Sequence, residues 1–240
     1  MARETEIKLR IENVAAFRKK LKKLGAKPIK SAGGRVFERN VIFDTPDGGL
    51  AKHGQLLRIR TERLGKSRSS TRRRAKANAK AQKERVVLTF KSPAMGESEL
   101  ASAGAAAAAR TQGASGAHRR LEHVRRHKVR EEIEVEVADA ATLAKIFHGW
   151  GLKGWFRYEK YRTTYALPVS ARWASGLLIE LDETPIGSFV ELEGAPEAID
   201  RAAISLGFSP KDYVLKNYLQ LHVEDCRRRG QEPHDMVFPS

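Results

Sequence analysis

The sequence is poor in the features that mark exported, membrane-spanning or cysteine-ligated proteins. Its 240 residues hold one cysteine, Cys226, which excludes an internal disulfide and a cysteine-cluster zinc site and makes a reducing cytoplasm the expected setting. No run of about 18 apolar residues occurs and the N-terminus has no apolar signal-peptide core, so a soluble, unexported chain with no membrane partner is expected. The seven histidines show no ligand pair at metal-binding spacing, and His53 and His222 read as incidental surface residues. Acidic residues are outnumbered by basic ones, 29 to 45, giving a net charge of +16.

What the chain does have is charged alternation. In Glu4-Thr-Glu6-Ile-Lys8-Leu-Arg10-Ile, strand geometry puts Glu4, Glu6, Lys8 and Arg10 on one face and Ile7, Leu9 and Ile11 on the other. The apolar face must be buried; the charged one is either solvated surface or the wall of a site. The pattern recurs. Arg58 and Arg60 share a face, and Lys91 ends the polar face of 87–91. Arg130, Glu132, Glu134 and Glu136 oppose Ile133, Val135 and Val137; Lys160 aligns with Arg162, Glu180 with Asp182, and Glu191 with Glu193. Such segments, joined by turns such as Pro46-Asp47-Gly48-Gly49, predict antiparallel strands. With 41% hydrophobic residues, the chain can bury the core of one large domain.

Helices are predicted between them. Residues 13–25 carry the stripe Val14, Phe17, Leu21 and Leu24, with Asn13 as cap and Gly25 as stop. Residues 140–150 carry Leu143, Ile146, Phe147 and Trp150, and residues 196–206 carry Ile199, Ile204 and Leu206. Each follows a strand of alternating acids, a loose threefold repeat. A last helix is expected from the Ser209-Pro210 cap to about Arg229.

The positive charge is concentrated. Residues 66–85 hold nine Lys/Arg and one Glu, and residues 118–128 five and one, so only +4 of the +16 belongs to the rest. The first segment lacks apolar periodicity, and the second follows an Ala/Gly/Ser-rich stretch at 101–117. Both read as flexible basic insertions, at about 65–85 and 93–127. Solvated loops are one reading; nonspecific contact with RNA or polyphosphate is the other.

Desolvating one ion costs several kcal/mol even after relaxation, so the charged strand faces must be wet, mutually paired or filled by a ligand. If the strands close into a barrel whose apolar faces are covered by helices, those faces line a tunnel, the reverse of a small barrel with a packed apolar interior. The fold expected is therefore α+β: an antiparallel β-barrel with a charged interior and helices outside. Its wall would carry carboxylates (Glu4, Glu6, Glu180, Asp182, Glu191, Glu193) and cations (Lys8, Arg58, Arg60, Lys91, Arg130, Lys160, Arg162). Carboxylates without histidine or cysteine suit Mg²⁺ or Mn²⁺, and a ring of Arg and Lys suits a phosphate chain. Together they describe a site for a metal-bound triphosphate.

Glu4-Thr-Glu6-Ile-Lys8 resembles the ExExK signature of the CYTH, or triphosphate tunnel metalloenzyme, superfamily, which includes class IV adenylate cyclases, thiamine triphosphatases and inorganic triphosphatases. It is followed in order by Phe43-Asp44-Thr45, Arg58 and Arg60, Thr89-Phe90-Lys91, Arg130 to Glu134, Lys160-Tyr161-Arg162, Asp182, Gly187 to Glu193, and Lys216-Asn-Tyr218. The resemblance covers residues 2–221 apart from the insertions, and implies one tunnel domain over 1–225 with a tail at 226–240. It implies that Glu4, Glu6, Asp182, Glu191 and Glu193 bind Mg²⁺ or Mn²⁺, and that Lys8, Arg58, Arg60, Lys91, Arg162 and Lys216 grip phosphate. Arg130 and Lys160 join the phosphate set, or are ion-pair partners of Glu132 or Glu180. Glu4, Glu6 and Lys8 are the expected catalytic residues, while Phe43 and Tyr161 read as apolar-face packing. The activity implied is metal-dependent hydrolysis of an inorganic, nucleoside or thiamine triphosphate. The alternatives are cyclisation of ATP to cyclic AMP and pyrophosphate, or a noncatalytic polyphosphate- or RNA-binding module.

Overall fold

A computed structural model describes residues 2–29, 34–64, 84–94 and 126–239. Nine strands form one sheet: β1 (Ala2–Ile11), β2 (Lys27–Pro28), β3 (Arg35–Asp44), β4 (Leu56–Leu64), β5 (Glu84–Lys91), β6 (Lys128–Val137), β7 (Lys153–Ala166), β8 (Leu178–Thr184) and β9 (Gly187–Glu193). Their order is β2-β7-β3-β4-β5-β6-β1-β9-β8, and β8 pairs back onto β7. Eight strands thus close an antiparallel barrel, with β2 outside it against Tyr165 and Ala166. Closure removes the exposed edges that an open sheet would have to protect.

The helices are α1 (Val14–Leu24), a single turn α2 (Gly49–Lys52), α3 (Ala140–Gly149), α4 (Pro196–Ser205) and α5 (Tyr218–Arg228). The expected acidic-strand-then-helix units are present as β1-α1, β6-α3 and β9-α4. The Asn13 side chain accepts the Ala16 N–H at 2.9 Å, and Gly25 stops α1 at φ 85°, a conformation that a Cβ would strain. Helices α1 and α4 cover the outer face of β1, β8 and β9. Leu9, Ile179, Leu181, Leu192 and Ile199 are buried there, each contributing about 1.5–3 kcal/mol. The barrel is held from outside, which frees its interior for charge.

Three expectations change. The helix read from Ser209-Pro210 is two elements: Pro210–Asp212 is one 3₁₀ turn, in which the Asp212 carboxylate accepts the Ser209 N–H at 2.7 Å. The chain then extends so that Val214 N–H donates to Lys8 O, and α5 starts afresh from Asn217, whose side chain caps Gln220. Second, α3 buries Phe147 but leaves Trp150 73% exposed and Ile146 exposed, as α4 leaves Ile204. Third, Ile133 and Val135 on the outer face of β6 are about half exposed. Helix α3 does not cover them because Phe147 packs on Phe43, Ile59 and Val86 of β3, β4 and β5.

Among the described residues no helix is long and apolar enough to cross a membrane. The two basic insertions lie, apart from their first or last residues, outside the described residues. Helix α5 runs through the boundary read at 225/226; beyond it Met236 is buried, with its N–H on Arg157 O and its carbonyl accepting from Glu159 N–H of β7.

Candidate functional site

The period-two alternation of the strands sends their charged faces into the barrel, where they line a cavity of about 290 Å³. Glu4, Glu6, Lys8, Arg58, Arg60, Lys91, Arg130, Lys160, Arg162, Glu191 and Glu193 are all on this wall, with Glu180. Asp182 lies behind it and is fully buried. Lys216 is not on the wall: it is half exposed, and its ammonium pairs with Glu224 of α5. From the same segment Tyr218 reaches in instead, its hydroxyl donating to Asp182 at 2.7 Å while Lys8 and Lys160 sit over its ring.

Cross-strand register decides which charges meet. Arg162 of β7 faces Asp182 of β8, and its Nε donates to Asp182 Oδ1 at 2.8 Å. Its guanidinium also reaches Glu180 and Glu191. Lys160 bonds Asp182 at 2.8 Å and lies 3.5 Å from Glu38, so its ion-pair partners are these rather than Glu132 or Glu180. Lys8 faces Glu191 across β1 and β9 and bonds it. Lys128 bonds Glu6 at 2.9 Å. Four carboxylates expected to bind metal, Glu6, Asp182, Glu191 and, through Lys91, Glu4, are therefore each already held by an ammonium or guanidinium.

The wall formed by β4 and β6 is less satisfied. Arg58 bonds the Tyr158 hydroxyl and Thr89 Oγ1, each at 3.1 Å, and Arg60 bonds Glu134 at 3.1 Å. Yet among the described residues the buried Nε atoms of Arg58, Arg60 and Arg130 have no hydrogen-bond partner, nor has the amide of Asn40. A buried N–H left unmade costs about 1–3 kcal/mol, more on a charged group, so the three arginines, which line the cavity, keep donor capacity that the described residues do not satisfy.

Carboxylates gather along the neighbouring strands β6, β1, β9 and β8, with Arg130 of β6 opposite Glu4 of β1. Lys91 bridges Glu4 at 2.6 Å and Glu132 at 3.2 Å. Glu193 makes no ion pair among the described residues. Burial, with Glu180 and Glu4 nearby, pushes the Glu193 carboxyl up to about 8. Burial likewise raises Glu132 to about 7, with the Lys91 charge opposing and Glu4 adding to the rise. Burial would raise Glu6 and Glu38 too, but Lys128 and Lys8 for the first, and Lys160 and Arg162 for the second, outweigh it and hold both at about 2. Burial alone would lower Lys8, but Glu191 and Glu6 keep it above its ordinary value, so its ammonium stays charged. The group Glu4, Glu132, Glu180 and Glu193 thus offers oxygen ligands with too little positive charge among them, which is the donor set a hard divalent cation fits.

The sequence reading omitted Lys128, Glu132, Glu134 and Glu38 from the site. The first three continue the Arg130 alternation along β6 and were legible from it. Glu38 was not, because β3 carries charges on both faces: Arg35 and Arg39 outside, Glu38 within. Phe43 and Tyr161 do pack outside, against Phe147 and against Phe37 and Phe238. Asp44 is structural: its carboxylate accepts the Thr45, Leu50 and Ala51 N–H groups and fixes the turn into α2.

The family model of the CYTH domain matches residues 2–206. No curated protein sequence matches the chain. Among solved structures, a protein from Pyrococcus horikoshii is similar at 21% identity and a TM-score of 0.61, over 92% of this chain and 99% of that one. A Vibrio parahaemolyticus protein proposed to be an adenylate cyclase is similar at 15% identity and a TM-score of 0.60, over 91% and 96%. A conserved hypothetical protein from Pyrococcus furiosus is similar at 21% identity and 0.57, over 91% and 99%. At these identities the likeness is one of fold.

Proposed function

The chain belongs to the CYTH domain family, and on that premise we propose that it is a divalent-metal-dependent enzyme that binds a triphosphate in the barrel and hydrolyses its terminal phosphoanhydride. The observation that carries the reading is the doubly charged cavity: its wall holds Arg58, Arg60 and Arg130, each with an unpaired Nε among the described residues, together with Glu193 and Glu132, whose carboxyls have too little positive charge beside them. Arg58, Arg60 and Arg130 would bind phosphate oxygens through charge-assisted hydrogen bonds, with Lys8, Lys91, Lys160 and Arg162 shifting from their carboxylates toward the incoming anion. Glu4 and Glu193, with Glu132 and Glu180, would hold Mg²⁺ or Mn²⁺. When bound, such a cation neutralises charge developing on the phosphoryl oxygens and acidifies water for attack. Lys8, kept charged beside Glu191, stabilises the same oxygens, and Glu6 keeps Lys128 in place on the wall.

Incubating the protein with ATP, tripolyphosphate or thiamine triphosphate, with Mg²⁺, Mn²⁺ or chelator, and identifying the products tests the reading. Metal-dependent release of orthophosphate supports it. Cyclic AMP and pyrophosphate from ATP would make the chain a cyclase, as is proposed for the Vibrio protein. Tight binding without turnover of any of the three would leave a binding module.

Arg60→Ala separates phosphate grip from fold. Losing one charge-assisted contact worth about 1.5–3 kcal/mol should weaken triphosphate binding roughly 10- to 100-fold. Orthophosphate binding should change far less, since fewer wall donors reach so short an anion. Calorimetric titration of both ligands into parent and variant checks this; equal losses for the two anions would remove Arg60 from the phosphate site.

The basic insertions are proposed to be dispensable for catalysis and to add nonspecific affinity for RNA or polyphosphate. Arg63 of β4 and Glu84 of β5 are directly paired, so a short turn can join these strands in register. Replacing 65–83 by a Gly/Ser turn should leave metal-dependent turnover within a few-fold. Any RNA affinity of the parent should fall and depend less steeply on salt, because fewer phosphate contacts release fewer counterions. Turnover assays and salt-titrated RNA binding on both proteins read the two halves separately. A folded trimmed protein without activity would mean that the insertion reaches the substrate.

A further inference from the structure

We propose that His222, Cys226 and His234 form a second metal site, suited to Zn²⁺ and cations of similar softness, that clamps the C-terminal segment onto α5. The sequence reading set His222 aside as surface, but it is buried with Cys226 on one face of α5, four residues apart, and the chain after Gly230 returns to bring His234 against them. The three donor atoms lie within 4.8 Å of one another. Cys226 Sγ is 3.9 Å from His222 Nδ1, 3.5 Å from its Nε2 and 3.8 Å from His234 Nδ1. Ligands sharing a tetrahedral zinc, with Zn–S about 2.3 Å and Zn–N about 2.0–2.1 Å, stand roughly 3.6 Å apart. The cluster therefore needs little rearrangement to close on an ion.

The surroundings favour the ligand forms. His222 Nε2–H donates to the His234 carbonyl at 2.7 Å, which orients the ring, leaves Nδ1 its lone pair, and links the two segments that the metal would bridge. His234 is exposed and supplies the entry side; its Nδ1, 3.2 Å from the Glu232 carbonyl, would exchange that contact for the cation. Asp225, adjacent on the helix, is taken by Arg228 and Arg229, so three protein ligands are offered and a fourth position is left to solvent.

The consequence is mechanical. Met236, two residues past His234, is bonded to Arg157 and Glu159 on β7, the strand that carries Lys160 and Arg162. Tyr218, at the other end of α5, bonds Asp182 behind the tunnel wall. A cation held by His222, Cys226 and His234 would tie this helix and this strand together. Its nitrogen and sulfur donors differ from the oxygen donors of the tunnel, so the two sites should take different ions.

Co²⁺ titration of the chelator-treated full chain, followed by thiolate-to-cobalt charge-transfer absorption, tests the proposal. Cys226 is the chain's single cysteine, so this signal reads one site whatever the tunnel binds or catalyses. The expected result is a band saturating at one Co²⁺ per chain, displaced by Zn²⁺ and absent in Cys226→Ser, with Zn²⁺ raising the melting temperature of the parent. His234→Ala, a change on an exposed side chain that should leave the fold intact, is expected to weaken Co²⁺ binding by at least about tenfold. No charge-transfer band in the folded parent at excess Co²⁺ overturns the site. A band of undiminished affinity in His234→Ala overturns it too, reducing it to a simple thiol adduct.

Discussion

Glu193→Gln is expected to make the metal-free protein more stable than the parent near neutral pH while abolishing most of its activity. Glu193 has no ion pair among the described residues, and burial beside Glu180 and Glu4 raises its carboxyl to about 8. Near pH 7 it is mostly protonated in the folded protein, so an amide of similar shape fits the same place without the proton uptake that folding of the parent requires. Between the unfolded value of 4.5 and about 8 the folded state binds the extra proton, so the parent's stability falls as pH rises through this window. The variant lacks that slope, so it should match the parent below about pH 4.5 and melt above it at pH 6, and further above it at pH 9. A divalent cation reverses the order: the parent gains stability from Mn²⁺ by mass action, and the variant gains little. Loss of a few kcal/mol of charge stabilisation at the reacting phosphate corresponds to a fall in turnover on the order of 100-fold. Melting curves at pH 6 and 9, with and without Mn²⁺, and phosphate-release rates check both halves. A variant with near-parental turnover would remove Glu193 from the metal set.

Why Glu193 differs from Glu191, two residues away on the same strand face, marks how far the sequence could be read. Alternation puts both in the barrel, and it does so correctly for β1, β4, β8 and β9, because the inward face of each is charged and the outward face mostly apolar, with Arg63 of β4 and Glu183 of β8 among the charged outward residues. It failed for β3, where charge on both faces hid Glu38, and for the outer face of β6, where Ile133 and Val135 are apolar but left without a covering helix. Local spacing also could not say which carboxylates are neutralised across strands. That depends on register: Lys8 stands opposite Glu191, and Arg162 opposite Asp182, whereas Glu193 faces Glu6 on β1 and Leu178 on β8. The end of the chain was least legible. Ser209-Pro210 is a sound cap signal, yet the pairing of Val214 with Lys8 ends the turn after three residues. His234 joins Cys226 only because the chain turns back after α5.

Asp182 provides the second large effect, and it separates a metal ligand from a structural anion. Its carboxylate is fully buried and accepts from Lys160, from Arg162 and from the Tyr218 hydroxyl. Asp182→Asn keeps the shape but removes the charge that two buried cations share, leaving Glu38, Glu180 and Glu191 as the nearby anions. Breaking a buried pair in this way costs about 3–5 kcal/mol. The loss should be the same with and without Mg²⁺ or Mn²⁺ if Asp182 serves the fold, and confined to the metal-loaded protein if it serves the cation. Lys160→Gln in the same chain supplies the cross-check. With one of the unpaired cations gone, the double variant should be less destabilised than the sum of the two single changes, by an interaction of about 0.5–3 kcal/mol. Urea unfolding of the four proteins, metal-free and with Mn²⁺, measures the cycle. Additive losses that appear only with Mn²⁺ would return Asp182 to the metal-binding residues. Non-additive losses in both conditions mean that it is the anchor of the tunnel's cation wall, holding Lys160 and Arg162 in place for the phosphate.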